Sequence, residues 1–157
     1  GGMSGSSFSK LRNLQKFSDI DDKQDKAYLQ GVIEHYRTQI GEGRLFLHGD
    51  PVGSSAWRTS EMQTLRKAPG VRTVEIDMCM FAGNKKVPSK GPMRFITNSQ
   101  VLERDLRRRC DRQHDHQGGE GGGAQREFPD DLLKAICRSI LKEKLQRQMK
   151  LRAVMEL

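Results

Sequence analysis

The sequence predicts an α/β fold of about three strands with flanking helices and a long C-terminal helix. Three observations predict it. A one-sided apolar stripe over 23–40 runs straight into the short apolar run Leu45-Phe46-Leu47. The segment 71–78 alternates cleanly in the manner of a strand and is rich in β-branched residues, and 93–97 reads as a further strand. From Pro129 almost to the end, apolar residues recur at helical spacing.

Taken in order, residues 1–9 are too rich in glycine and serine for a stable element and read as a loop. Lys10–Phe17 places Leu11, Leu14 and Phe17 three apart on one helical face, and Asp19–Asp22 supplies cap-type residues. In the helix that follows, Leu29, Val32, Ile33, Tyr36 and Ile40 form the inner stripe, and Gly41 and Gly43 stop it. The run at 44–48 is long enough for one buried strand. It is expected to stop at His48-Gly49-Asp50-Pro51, where proline removes a ladder donor. Residues 58–67 form a short helix with Met62 and Leu65 inward, broken by Ala68-Pro-Gly70. In the strand at 71–78, Val74, Ile76 and Met78 share the apolar face.

A loop rich in Gly, Lys and Pro spans 82–92, Met93–Thr97 is the third strand, and Asn98 or Ser99 caps a helix over 100–110. Between 111 and 127 the only apolar residue is Ala124 and five glycines fall in 118–123, the composition of a flexible loop. The last helix carries Leu133, Ile136, Cys137, Ile140, Leu141, Leu145 and Met149 on its stripe. Its residues 134–152 hold seven basic groups against Glu143 alone, a solvated basic face that complements the helix dipole. The chain divides at 140: a domain over 1–140, and a basic helical extension over 141–157.

With 157 residues, one domain is expected, and a 34% apolar share implies a modest core. A net charge of +8 favours polyanionic partners, nucleic acid first. Three widely spaced cysteines do not describe a disulfide framework, which points to a reducing compartment. No apolar run is long enough to span a bilayer, so the expectation is an intracellular protein of cytoplasm or nucleus with no membrane partner.

Two constellations carry chemistry. Cys110-x-x-x-His114-x-His116, with Cys79 at the end of the preceding strand, offers two thiolates and two imidazoles, a donor set suited to tetrahedral zinc. Lys85, Lys86, Lys90 and Arg94 form a basic group that could face a phosphate backbone. A solvated histidine pair and an ordinary soluble loop are the plain alternatives.

Ser6-Ser-Phe-Ser-Lys-Leu-Arg-Asn-Leu-Gln15, then Phe46-Leu-His-Gly-Asp-Pro51, carry a resemblance. It continues in Val74-Glu-Ile-Asp-Met-Cys-Met-Phe81, Met93-Arg-Phe-Ile-Thr-Asn-Ser99, Arg108-Arg-Cys-Asp111 and Phe128-Pro-Asp-Asp-Leu-Leu133. Over about residues 4–140 the chain resembles the second half of a cytosine-5 DNA methyltransferase. It resembles more closely the degenerate methyltransferase-like domains of retroelement polyproteins in some protists and fungi. The resemblance implies part of a Rossmann-like methyltransferase sheet. It also implies nucleic-acid association, and a missing N-terminal part of the same polyprotein as a partner.

Such enzymes flip out the target base, add a cysteine thiolate to it and hold the ring with a glutamate. Aligned residue by residue, the cysteine position is Gly5 and the glutamate position is Gly49. Asp50 lies one place out of register and points to the other strand face. The glycine-rich loop that holds S-adenosylmethionine in the family has no counterpart in this sequence. The expectation is therefore a catalytically degenerate domain with no organic cofactor of its own and zinc as a candidate ligand. An independent basic nucleic-acid-binding module, stabilised by zinc, is the alternative.

Overall fold

The computed structural model describes residues 23–83, 88, 90–116 and 128–156. The expectations for Gly5, Lys10–Phe17, the caps at 19–22, Lys85, Lys86 and the glycines of 118–123 lie outside the described residues. The fold is mixed α/β, with four α-helices and a three-stranded sheet among the described residues. In chain order these are α1 (Lys23–Gly41), β1 (Leu47–Pro51), α2 (Ser60–Arg66), β2 (Arg72–Asp77), β3 (Pro92–Thr97), α3 (Gln100–Leu106) and α4 (Asp130–Met155). Two 3-10 turns, Ser55–Arg58 and Met78–Phe81, lie before α2 and after β2.

The sheet order is β1-β3-β2, with both outer strands antiparallel to β3. β1 and β2 therefore run the same way, joined through α2, with β3 inserted between them as a split β-α-β unit. No two neighbouring strands of the described sheet are parallel, so it lacks the adjacent parallel pairs of a doubly wound sheet.

Side-chain alternation divides the core in two. On one face Val74, Ile76, Met93 and Phe95 pack with Leu102 and Leu106 of α3 and Leu132 and Ala135 of α4. On the other, Ile96 joins Ile33 of α1, Met62 and Leu65 of α2, and Phe46 and Trp57. Helices thus cover both faces of a small sheet.

Local signals explain the ends of the elements. Gly43 sits at φ +67, where its amide donates to Ile40 O while Arg44 N donates to Gln39 O, a Schellman stop to α1. Thr59 caps α2 and Ser99 caps α3 by accepting from the amides of Met62 and Leu102. Asn98 clamps the approach to β1, accepting from Phe46 N and donating to Arg44 O.

Three expectations need correction. The first strand occupies Leu47–Pro51 rather than 44–48, so the His48–Pro51 segment lies inside the ladder. β1 is an edge strand, and an edge tolerates the proline that a central strand would not. The helix after Ser99 ends at Leu106, because Arg108 O is drawn to the amide of Asp77. Finally, the expected stripe of α4 is only partly inward. Leu132, Ala135 and Ser139 are buried, whereas Leu133, Leu141, Leu145 and Met149 are exposed. α4 runs unbroken through residue 140, and every described side chain from Lys144 onward is exposed.

Candidate metal centre

β2 ends at Asp77, and the 3-10 turn that follows places Cys79 in the interior. The turn is pinned from the side by Met78 N to Gly91 O and Cys79 N to Lys90 O. Arg108–Cys110 returns alongside this end of β2. Asp77 N donates to Arg108 O at 2.9 Å, and Asp77 Oδ2 accepts from Cys110 N at 2.9 Å. A backbone bond and a carboxylate thus carry Cys110 to Cys79, two residues far apart in the chain.

The chain then turns tightly. Arg112 adopts φ 61, a left-handed conformation uncommon outside glycine, and its amide donates to Cys110 Sγ at 3.3 Å. Asp111 Oδ1 accepts from Gln113 N. The turn brings His114 Nε2 to 3.7 Å and His116 Nε2 to 3.4 Å from Cys110 Sγ. The ligand atoms of Cys79, Cys110, His114 and His116 all lie within 4.8 Å of one another. Tetrahedral zinc, with Zn–S of about 2.3 Å and Zn–N of about 2.0 Å, sets its ligand atoms roughly 3.3–3.8 Å apart. The two sulfur–nitrogen distances already fall in that range, and a small contraction brings the rest into it.

Burial pushes the Cys79 thiol up to about 12, with the neighbouring Cys110 and then Asp77 acting in the same direction. A divalent ion reverses this balance, since a coordinating thiol is deprotonated outright and two thiolates neutralise the ion. The outer groups fit as well. His114 presents Nε2 inward, while its Nδ1 lies 3.5 Å from Asp111 Oδ1, the carboxylate–histidine–metal arrangement that orients such ligands. These four residues can hold a metal ion.

Asp77, Asp111 and Arg112 escape a reading of the sequence alone. Asp111 carries one signal, its place beside Cys110 and three residues before His114. Asp77 carries none, because its role depends on the returning strand.

Of the basic group, only Lys90 and Arg94 lie among the described residues, and Arg94 is engaged in internal contacts. Arg94 Nε and Nη2 both donate to Glu75 Oε1, at 3.0 and 2.6 Å, and the guanidinium lies 5.4 Å from the Trp57 ring centre. Arg109 bridges Glu75 and Asp77 from the other side. The hydrogen bond from Arg94 holds the Glu75 carboxyl below the usual carboxylate range. Arg94 is thus a sheet-face ion pair facing inward. Lys90 is half-buried beside the Cys79 turn.

Gly49 lies opposite Phe95 in the ladder, and a Cβ there would stand 2.3 Å from the Phe95 ring. The space a side chain at this position would need is filled by an aromatic ring from the next strand. Beside it, Tyr36 Oη meets His48 Nδ1 at 3.2 Å, and His48 packs edge-on against Trp57. Burial, with Tyr28 and Asp50 adding to it, raises the Tyr36 hydroxyl to about 12. This is a packed corner of the second core.

Compared with known proteins, the chain matches no family model, no curated protein and no solved structure. No helix among the described residues is long and apolar enough to cross a membrane.

Proposed function

We propose that the chain is a zinc-stabilised α/β module that associates with nucleic acid. The observation that carries this reading is the convergence of Cys79, Cys110, His114 and His116 within 4.8 Å. A donor set of two sulfurs and two imidazoles in tetrahedral reach selects zinc among the common divalent ions. Four protein ligands leave no open position, so the ion's chemistry is structural: it ties the end of β2 to the 110–116 turn. The net charge of +8 supports the polyanionic partner. Zinc content and cobalt substitution of the purified chain test the reading. One equivalent of zinc, and thiolate-to-cobalt absorption that Cys110→Ser abolishes, are expected. A metal-free chain with equal thiol reactivity before and after chelation would sink it.

A second reading concerns origin and is compatible with the first. The order helix, strand with polar residues, helix, strand, loop, strand is the order of the described elements, and it supports a methyltransferase-like domain. The ring of Phe95 over Gly49 supports its being catalytically degenerate. On this reading the partner is the upstream part of a retroelement polyprotein. The transcript decides it: a glycine-rich strand–loop–helix encoded upstream is the expected finding.

A further inference from the structure

α3 and α4 pack closely, and an open cleft of about 550 Å³ lies beside their contact. Its lining is Asp105, Arg108, Ala135, Arg138, Ser139 and Lys142. On α4 the lining positions 135, 138, 139 and 142 follow the i, i+3, i+4, i+7 rule, so one helix face supplies two cations and a hydroxyl.

The charges are unevenly compensated. Asp105 is the sole carboxylate of the lining. Its Oδ1 is held by Arg104 Nε at 2.9 Å, and its Oδ2 lies 3.3 Å from Ser139 Oγ and 3.5 Å from Lys142 Nζ. Arg108 makes no ion pair among the described residues: its guanidinium lies over the Phe81 ring at 4.8 Å, and Phe81 is buried. Stacking of this kind holds the guanidinium plane in place and leaves its N–H edge free to donate. Arg138 likewise makes no ion pair among the described residues. Two arginines without ion pairs among the described residues, and Lys142 beside Asp105, therefore line a cleft with one acid, which Arg104 and Ser139 also hold. Ala135 and Ser139 add only a methyl and a hydroxyl, so charged side chains dominate the lining.

We propose that this cleft is a phosphate-binding site, in which Arg108, Arg138 and Lys142 receive a phosphodiester group of a nucleic acid. Arginine presents paired N–H donors that match phosphate oxygens, and Arg108 is pre-organised to do so. The site rests on the nucleic-acid reading above and relocates the contact. Arg94 points into the sheet-face ion pairs, whereas the α3–α4 cleft is open and basic. It joins the 107–110 segment that leads into the metal-binding turn, so a metal that fixes the turn also fixes Arg108.

Fluorescence anisotropy of the full chain with a short fluorescein-labelled DNA single strand, across a salt series, tests the site. Arg138→Gln with Lys142→Gln is compared with Lys150→Gln with Arg152→Gln, an equal charge loss further along the same helix. Removing one phosphate-neutralising side chain should lower the salt slope on a single strand by about 0.7. The cleft pair should therefore reduce the slope and weaken affinity about tenfold or more, and the distal pair should change little. Replacing chloride by inorganic phosphate at matched ionic strength should weaken the unmodified chain more than the cleft variant. Equal effects of both pairs, or no extra competition by phosphate, overturn the cleft as a site while leaving nucleic-acid binding standing. Absence of binding by the unmodified chain at low salt overturns both. Arg108→Lys keeps the charge and removes the planar fork, and it should reproduce part of the weakening with unchanged metal content.

Discussion

Glu143, midway along α4, accepts the Ser99 hydroxyl at 2.6 Å while the same Ser99 oxygen accepts from the amide of Leu102. Glu143 Oε2 also lies 3.4 Å from the amide of Val101, so one carboxylate completes the N-terminus of a helix far earlier in the chain. Its other oxygen takes Arg147, which in turn donates to Gly43 O at the stop of α1. Through this chain α4 is fastened to both α1 and α3. The single acid of an otherwise basic stretch has a structural assignment.

The first prediction follows from that contact. Ser99 is fully buried, so Glu143→Ala leaves its hydroxyl short of an acceptor and removes a negative charge from a helix N-terminus. A loss of about 1–2 kcal/mol is expected. Burial works to raise the Glu143 carboxyl, but the hydrogen bonds from Ser99 and Arg147 outweigh it and hold it below the usual range. A depressed folded value contributes stability above the unfolded value, about 4.3. That contribution disappears as pH falls through the lower folded value. Denaturant midpoints should differ between the unmodified chain and Glu143→Ala at neutral pH and converge in acid.

The outer shell of the metal centre gives a second. Asp111→Asn keeps the four ligands and weakens the carboxylate behind His114 Nδ1. Metal affinity should fall about 10- to 100-fold with stoichiometry unchanged. Cys137→Ser, at an exposed cysteine outside the group, should change neither. Competition with a chromogenic zinc chelator measures both. Equal affinities for Asp111→Asn and the unmodified chain would remove Asp111 from the centre.

Gly49 yields a third prediction. Even alanine there meets Phe95, whose ring is buried and bounded by the α3–α4 core. Overpacking of this kind costs about 1–3 kcal/mol. Gly49→Ala should therefore lower the thermal midpoint, and adding Phe95→Leu should recover part of the loss through non-additive coupling. Additive losses would show that the ring is not the obstacle.

Arg94 separates structure from binding. Its contacts are internal, to Glu75 and to the face of Trp57. Glu75 is 37% exposed on its side chain, so solvent screening limits the pair, and Arg94→Gln should cost only about 1 kcal/mol. It should shift Trp57 fluorescence and leave the salt slope of DNA binding unchanged.

The parts legible in the sequence are those governed by local periodicity. The β2 alternation places Val74 and Ile76 inward, and helical spacing finds α1 and α4. Pairing partners are not legible. Leu45-Phe46-Leu47 looks like the strand because it is apolar, but the ladder with β3 selects the next residues and uses the edge to accommodate Pro51. Periodicity also cannot say which side of a helix finds a neighbour. Leu132, outside the expected stripe, is fully buried, while Leu133 within it is 46% exposed. For the metal group, Cys110, His114 and His116 are near in sequence, whereas Cys79 joins only through Asp77 and Arg108, a tertiary contact. Glu143 as the distant partner of Ser99 has no sequence signal at all.

The last prediction is that the chain does not transfer a methyl group to cytosine when given S-adenosylmethionine and DNA. The resemblance sets the requirement: a thiolate where Gly5 stands and a carboxylate where Gly49 stands. Each missing group of this kind typically removes on the order of a hundredfold to ten-thousandfold in rate. The structure sharpens the second loss. Restoring the acid by Gly49→Glu forces a side chain into the Phe95 ring, so the expected outcome is an unfolding penalty, not a repaired site. The neighbouring carboxylate cannot substitute, since Asp50 points to the other face of β1, where Ser54 and His48 approach it. The measurement is incorporation of labelled methyl groups into DNA by the unmodified chain and by Gly5→Cys with Gly49→Glu. Neither should exceed a denatured-protein control, and the double variant should melt at lower temperature. Incorporation by the unmodified chain would mean that the nucleophile and the carboxylate lie elsewhere in the sequence, and that the alignment placing them at Gly5 and Gly49 is wrong.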